Sequence, residues 1–131
     1  MNKKLYIIHA ILNTISIILL FSGLYFALTK PKNWFPTHRA LMITASVVLF
    51  ISIFYALYIK EYHSERTGKS SLHSHIGIII GILLLIQIFI AITHRKDLGS
   101  NYLMIHRTGA ILIVSLLIVQ IYLGIKEYSS L

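Results

Sequence analysis

Four apolar stretches, residues 5–28, 40–59, 76–93 and 103–125, divide the chain and leave few folds open to it. Each holds about the twenty residues that a helix rising 1.5 Å per residue needs to cross roughly 30 Å of hydrocarbon. None has Asp, Glu or Lys in its middle, and the one charge inside a stretch is Arg107, near the start of the fourth. With 56% hydrophobic and 12% charged residues, a soluble domain of 131 residues could not hide its apolar surface. At most sixteen residues separate consecutive stretches, so neighbouring helices are expected to be antiparallel. The expected fold is all-α: an integral membrane four-helix up-down-up-down bundle forming a single domain over 1–131, without a soluble head.

The first stretch is too long for a signal peptide and lacks a small-residue cleavage site; Lys3 and Lys4 before it fit an anchor helix. Pro31 and Pro36 end the first helix and are expected to delay the second, with Thr37 as its N-cap and a span of 38–60. Trp34 suits the membrane interface. The polar segment 61–71 reads as a loop. A third helix opens at Ser71 or Leu72 and ends near His94. Asp97, Gly99, Ser100 and Asn101 form a turn, and a fourth helix covers 102–127.

The chain has no cysteine, which excludes disulfides, iron–sulfur ligation, thiolate zinc sites and covalent c-type haem. Its net charge of +8 resides in the loops and forms no continuous basic face, so nucleic acid is not an expected partner. The lipid bilayer is, with basic residues anchoring helix ends at the headgroups.

Among seven histidines, His9, His38, His73 and His106 share one placement, each near the start of one helix. An ionisable residue at that depth is costly and usually functional. In the expected topology His9 and His73 lie at one membrane face, His38 and His106 at the other, and each pair comes from diagonal helices. Two inward imidazoles can grip a flat macrocycle on the bundle axis, so the four histidines are candidate axial ligands of two b-type haems. Two neutral imidazoles fill the iron's coordination sphere and favour electron transfer over oxygen binding. Counting from each histidine, offset 11 gives Leu20, Leu49, Leu84 and Leu117. Offset 14 gives Gly23, Ser52, Gln87 and Gln120, and offset 18 gives Ala27, Ala56, Ala91 and Gly124. Five full turns return to the same face, and the small residues there are expected to admit the far macrocycle or its access channel.

His75 lies about 200° around the helix from His73, so both cannot face one haem. His73 is the chosen ligand because Gly77 and Gly81 near its face make room for a porphyrin. His75 is left to a neighbouring helix, a substrate or the headgroups. His63 falls in the polar loop and reads as solvated; His94 is open between a propionate contact and simple exposure. Arg39 and Arg107 follow two of the ligands directly and can pair with haem propionates or an anionic reductant, or anchor headgroups. Intramembrane Ser and Thr can bond their own helix backbone, whereas Gln87 and Gln120 are expected to face the interior.

The segment Ser71-Leu72-His73-Ser74-His75-Ile76-Gly77, with Gln87 fourteen residues after His73, resembles the Ser-Leu-His-Ser-Trp-x-Gly…Gln helix of the cytochrome b561 family. The segment from His106 through Leu123-Gly124-Ile125-Lys126-Glu127 is similar to that family's last haem helix. The resemblance covers the family's four-helix core and implies the same pairing, His9 with His73 and His38 with His106. It implies transmembrane electron transfer as an oxidoreductase, from a donor such as ascorbate to an acceptor such as monodehydroascorbate or a ferric chelate. His75 stands where the family has Trp, and the two outer helices are missing, so a homodimer or a redox-complex partner is expected.

An alternative keeps the haems but makes the chain a quinone-linked membrane subunit of a larger redox complex, with quinol as donor. A cofactor-free transporter would need a membrane-embedded carboxylate, and Glu61, Glu65, Asp97 and Glu127 all lie at helix ends or in loops. Six Lys/Arg fall on each side of the bilayer, so the positive-inside comparison is a tie. The resemblance places the His38/His106 level on the cytosolic side of a multi-pass protein, expected in the cell (inner) membrane.

Overall fold

The structure, a computed structural model, describes the backbone of residues 3–63, 72–93 and 101–130, and the side chains of 4–59, 72–93 and 101–130. Four helices account for nearly all of it: α1 (Lys3–Thr29), α2 (Trp34–His63), α3 (Leu72–Thr93) and α4 (Asn101–Ser129). All four are long and apolar enough to cross a membrane. Helices are the natural outcome, because a spanning segment must satisfy its backbone hydrogen bonds internally. Large apolar side chains such as Ile18, Phe54, Phe89 and Ile118 stand exposed along them, as lipid-facing positions should.

The chain falls into two helical hairpins, α1–α2 and α3–α4. A common pattern builds both. Seven residues after each of His9, His38, His73 and His106 come Ser16, Ala45, Ile80 and Ile113; eleven after come the four leucines 20, 49, 84 and 117. All eight are buried. Alternating three- and four-residue spacing keeps one seam turned toward one neighbour. The histidine therefore heads the seam that packs each helix against its hairpin partner. The offset of seven was not among the sequence expectations, although it is visible there.

In the first hairpin the rungs run in reverse order, which makes α1 and α2 antiparallel. His9 meets Ser52, Ser16 donates to the Ala45 carbonyl at 2.8 Å, and His38 meets Gly23. Ser16 and Ala45 are completely buried at the middle rung. Thr14, Ser22, Ser46 and Ser115 do bond the carbonyl four residues back, as expected for hydroxyls in lipid. Ser16 and Ser52 depart from that rule by reaching across to the other helix.

Several boundaries differ from expectation. α2 begins at Trp34 rather than 38, and Thr37 lies inside it, donating to the Asn33 carbonyl at 3.2 Å instead of capping. Pro36 does not delay the helix, since a first-turn residue has no intrahelical partner for its N–H anyway. The reversal is compressed into Lys30–Asn33, where Lys30 and Asn33 take positive φ of 47° and 60°. Lys30 N–H closes on the Phe26 carbonyl at 3.0 Å and ends α1, with Pro31 blocking continuation. α2 also continues through 61–63, so His63 belongs to a helix and not to a loop. Asn101 opens α4 rather than ending a turn. His94 and Asp97 lie outside the described residues.

Candidate haem-ligand site

Each expected ligand sits half-buried at the head of its seam. What the hairpins add is how the rings are held. The His38 Nδ1–H donates to the Gly23 carbonyl across the hairpin at 2.8 Å. The His73 Nδ1–H donates to the Gln120 carbonyl at 3.2 Å. The His9 Nδ1–H is shared between the Ser52 carbonyl at 3.1 Å and the Ser52 Oγ at 2.9 Å, and that hydroxyl donates to the His9 carbonyl at 3.3 Å. In every case the acceptor lies on the neighbouring helix, fourteen residues after that helix's own histidine. Gly23, Ser52 and Gln120, three of the four offset-14 positions, are thus the seats of the opposite ligand.

This geometry assigns the tautomer. With Nδ1 as donor, Nε2 carries the lone pair that a metal takes, and a ligand imidazole usually holds its other N–H on a carbonyl or carboxylate. Two amides also approach the rings: Asn13, one turn after His9, brings Nδ2 to 2.9 Å from its Nε2 and 3.4 Å from its Nδ1, and Gln120 brings Nε2 to 3.4 Å from the Nε2 of His73, where it can donate to an unprotonated nitrogen. Asn13 is not among the candidates read from the sequence; its position four after His9 was the signal.

Within a hairpin the two histidines stand at opposite ends, fourteen residues or about 21 Å apart along the helix axis. That spacing puts one near each surface of a 30 Å hydrocarbon layer. His106 holds the same station on α4 as His73 on α3. Gln87 reaches Gly109, three residues beyond His106, so closely that any side chain at 109 would collide with its amide. Gln120 approaches Gly77 in the same way, at 3.0 Å from where a Cβ would stand. Gly77 therefore makes room for Gln120. Both glutamine Oε1 atoms are buried, and both amides turn into the α3–α4 interface, as expected of costly polar groups in lipid.

Gly124, at offset 18 from His106, backs the His73 ring: a Cβ there would lie 3.0 Å from Cε1. His75 is exposed, on a different side of α3 from half-buried His73. Arg39 and Arg107 are both exposed beside their half-buried histidines. Trp34 stands between Lys30, whose Nζ is 5.8 Å from its ring centre, and His38, whose ring is 6.2 Å away.

These donors fit haem b. The group needs neutral imidazoles with Nε2 available to iron, and three of the four rings are held by their Nδ1–H in that form.

Comparison with known proteins points the same way. The family described as eukaryotic cytochrome b561 matches residues 5–130. A Xenopus laevis protein named as a ferric-chelate reductase is 32% identical over 73 residues, which cover 51% of this chain and 12% of that protein. The chain thus spans about an eighth of the length of the curated relative it matches. No solved structure matches it. Four spanning helices and a family match over almost the whole chain lead to one conclusion: the chain belongs to the cytochrome b561 family, multi-pass membrane proteins that bind haem b and transfer electrons across the bilayer.

Proposed function

We propose that this chain carries electrons between a small reductant on one side of the membrane and an acceptor on the other through two bis-histidine haems. His9 and His73 hold one, and His38 and His106 the other. One observation carries the reading: His9, His38 and His73 each donate Nδ1–H to a carbonyl of the neighbouring helix, and so present Nε2 in the coordinating tautomer. Haem b between two neutral imidazoles supplies one-electron ferric–ferrous chemistry without an open position for oxygen.

The protein's own residues do the rest. The hairpin seams hold the rings, and the leucines at offset 11 are buried within those seams, between the two ligand ends of each hairpin. Exposed Arg39 and Arg107 supply positive charge at the His38/His106 level, suited to haem propionates or to an anionic reductant or acceptor. The name of the Xenopus relative makes a ferric chelate the first acceptor to try, with ascorbate and quinol as the donors.

The test is a reduced-minus-oxidised spectrum with pyridine haemochrome quantification on the purified chain. Two low-spin b haems per chain are expected, falling to one in His73→Ala. A colourless protein, or His73→Ala that keeps two haems, would overturn the assignment. Reduction of the purified chain by ascorbate, quinol or neither then identifies the donor class.

A further inference from the structure

We propose that Ser52 is a positioning residue for His9, and that its hydroxyl lowers the reduction potential of the haem that His9 ligates. The inference rests on the reading of His9 as an axial ligand. Ser52 is completely buried on α2, and its side chain makes no bond to its own helix turn. Instead Oγ lies 2.9 Å from His9 Nδ1 and 3.3 Å from the His9 carbonyl oxygen. One proton arrangement satisfies both contacts: Nδ1–H points at the Ser52 oxygens, and the hydroxyl proton goes to the His9 carbonyl.

A serine in a membrane helix normally donates to the carbonyl four residues back, as Ser46 does on the same helix. Ser52 gives that up for a contact with a ring 43 residues away. At the other end of the hairpin the equivalent position is Gly23, which offers His38 a carbonyl and no side chain. At the acceptor position the two ends of α1–α2 therefore differ by one hydroxyl, and that hydroxyl touches the nitrogen through which an iron-bound imidazole is tuned. Acceptors on Nδ1–H make the ring a stronger donor to the metal, favour the ferric state and lower the potential. Removing one of two acceptors should raise it.

Ser52→Ala is the test, with Ser52→Thr as the variant that keeps a hydroxyl. In the loaded protein Ser52→Ala should keep both haems and raise the midpoint of one. At fixed ambient potential its ferrous-to-ferric ratio should increase about twofold to tenfold, the upper end equal to 59 mV for one electron. In the haem-free protein with 15N-labelled histidine, the His9 Nδ1 proton resonance should move upfield as its hydrogen bond weakens. Ser52→Thr should restore both readouts. His9→Ala separates this proposal from the one beneath it. If His9→Ala loses a haem while Ser52→Ala leaves both midpoints and the resonance unchanged, Ser52 has no tuning role and the ligand assignment stands. If His9→Ala keeps two haems, the ligand assignment fails and this proposal fails with it.

Discussion

A single methyl group at Gly124 should loosen the hold on His73. The Cβ of Gly124→Ala would stand 3.0 Å from His73 Cε1, whereas ordinary contact begins at 3.4 Å. The ring must therefore recede from α4 by about 0.4 Å. The carbonyl that holds its Nδ1–H, that of Gln120, belongs to the same helix, so the bond lengthens with the retreat, from 3.2 Å to about 3.6 Å. At that distance it no longer counts as a hydrogen bond. A typical net loss is about 0.5–1.5 kcal/mol, or roughly twofold to tenfold in an equilibrium constant.

Haem retention against an apo-myoglobin trap, together with the redox midpoint of each haem, reads that loss. Gly124→Ala should release one haem faster by roughly that factor and raise its midpoint, leaving the other haem as in the parent. Gly77→Ala is the matched control. Its Cβ meets the Gln120 amide nitrogen at 3.0 Å, the far end of a flexible side chain that can swing away without disturbing the Gln120 carbonyl. Equal effects from the two substitutions, or no effect from Gly124→Ala, would refute the argument that the backbone at 124 acts through the His73 hydrogen bond.

Two further outcomes test the hairpins themselves. Ser16→Ala removes the buried donor to the Ala45 carbonyl at the middle rung and should destabilise the protein by about 0.6 kcal/mol, the usual scale for interhelical bonds in membranes. A lower thermal midpoint in detergent with unchanged haem content is expected; a lost haem would contradict the separation of middle rung from ligand levels. Gly109→Ala should cost about 1–3 kcal/mol by driving a methyl into the Gln87 amide, since helices persist in lipid on both sides of the equilibrium and the propensity gain largely cancels. In a Gln87→Ala background the same change should be near neutral, and a double-mutant cycle showing no coupling would reject that contact.

Much of this was legible in the sequence because lipid leaves so little choice. Length and hydropathy alone specify four helices, and one histidine per helix at a repeated station marks the candidate ligands. The offset-11 leucines were visible as a row, and all four are buried. The ends of helices were harder. The Lys30–Asn33 reversal relies on two non-glycine residues at positive φ, and Pro36 sits where a helix tolerates it, so turn chemistry misplaced the start of α2 by four residues. The meaning of offset 14 was also hidden. Spacing along one helix shows that Ser52 and Gln120 share a face with a histidine. It does not reveal which histidine they touch, because that depends on how two antiparallel helices align. The hydrophobic period of one helix does not report that alignment.

The hairpin, rather than the single helix, is therefore the unit that prepares the site. In α1–α2 the ring at each end is fixed by backbone from the opposite helix, so neither ligand is oriented until its partner helix is in place. Once the hairpin has formed, the tautomer is chosen before any metal arrives. A histidine in water divides its proton between two nitrogens and rotates freely about its side-chain bonds. Here both freedoms are restricted by contacts between each ring and the backbone of the neighbouring helix. The ordering entropy of the ligand is thus absorbed into helix packing, which leaves more of the iron–nitrogen bond energy as net affinity. The same logic explains why Gly124 and Ser52, where substitution is expected to disturb a ligand ring, lie eighteen and fourteen residues from the nearest ligand on their own helices, yet across the seam from the histidine that each one contacts.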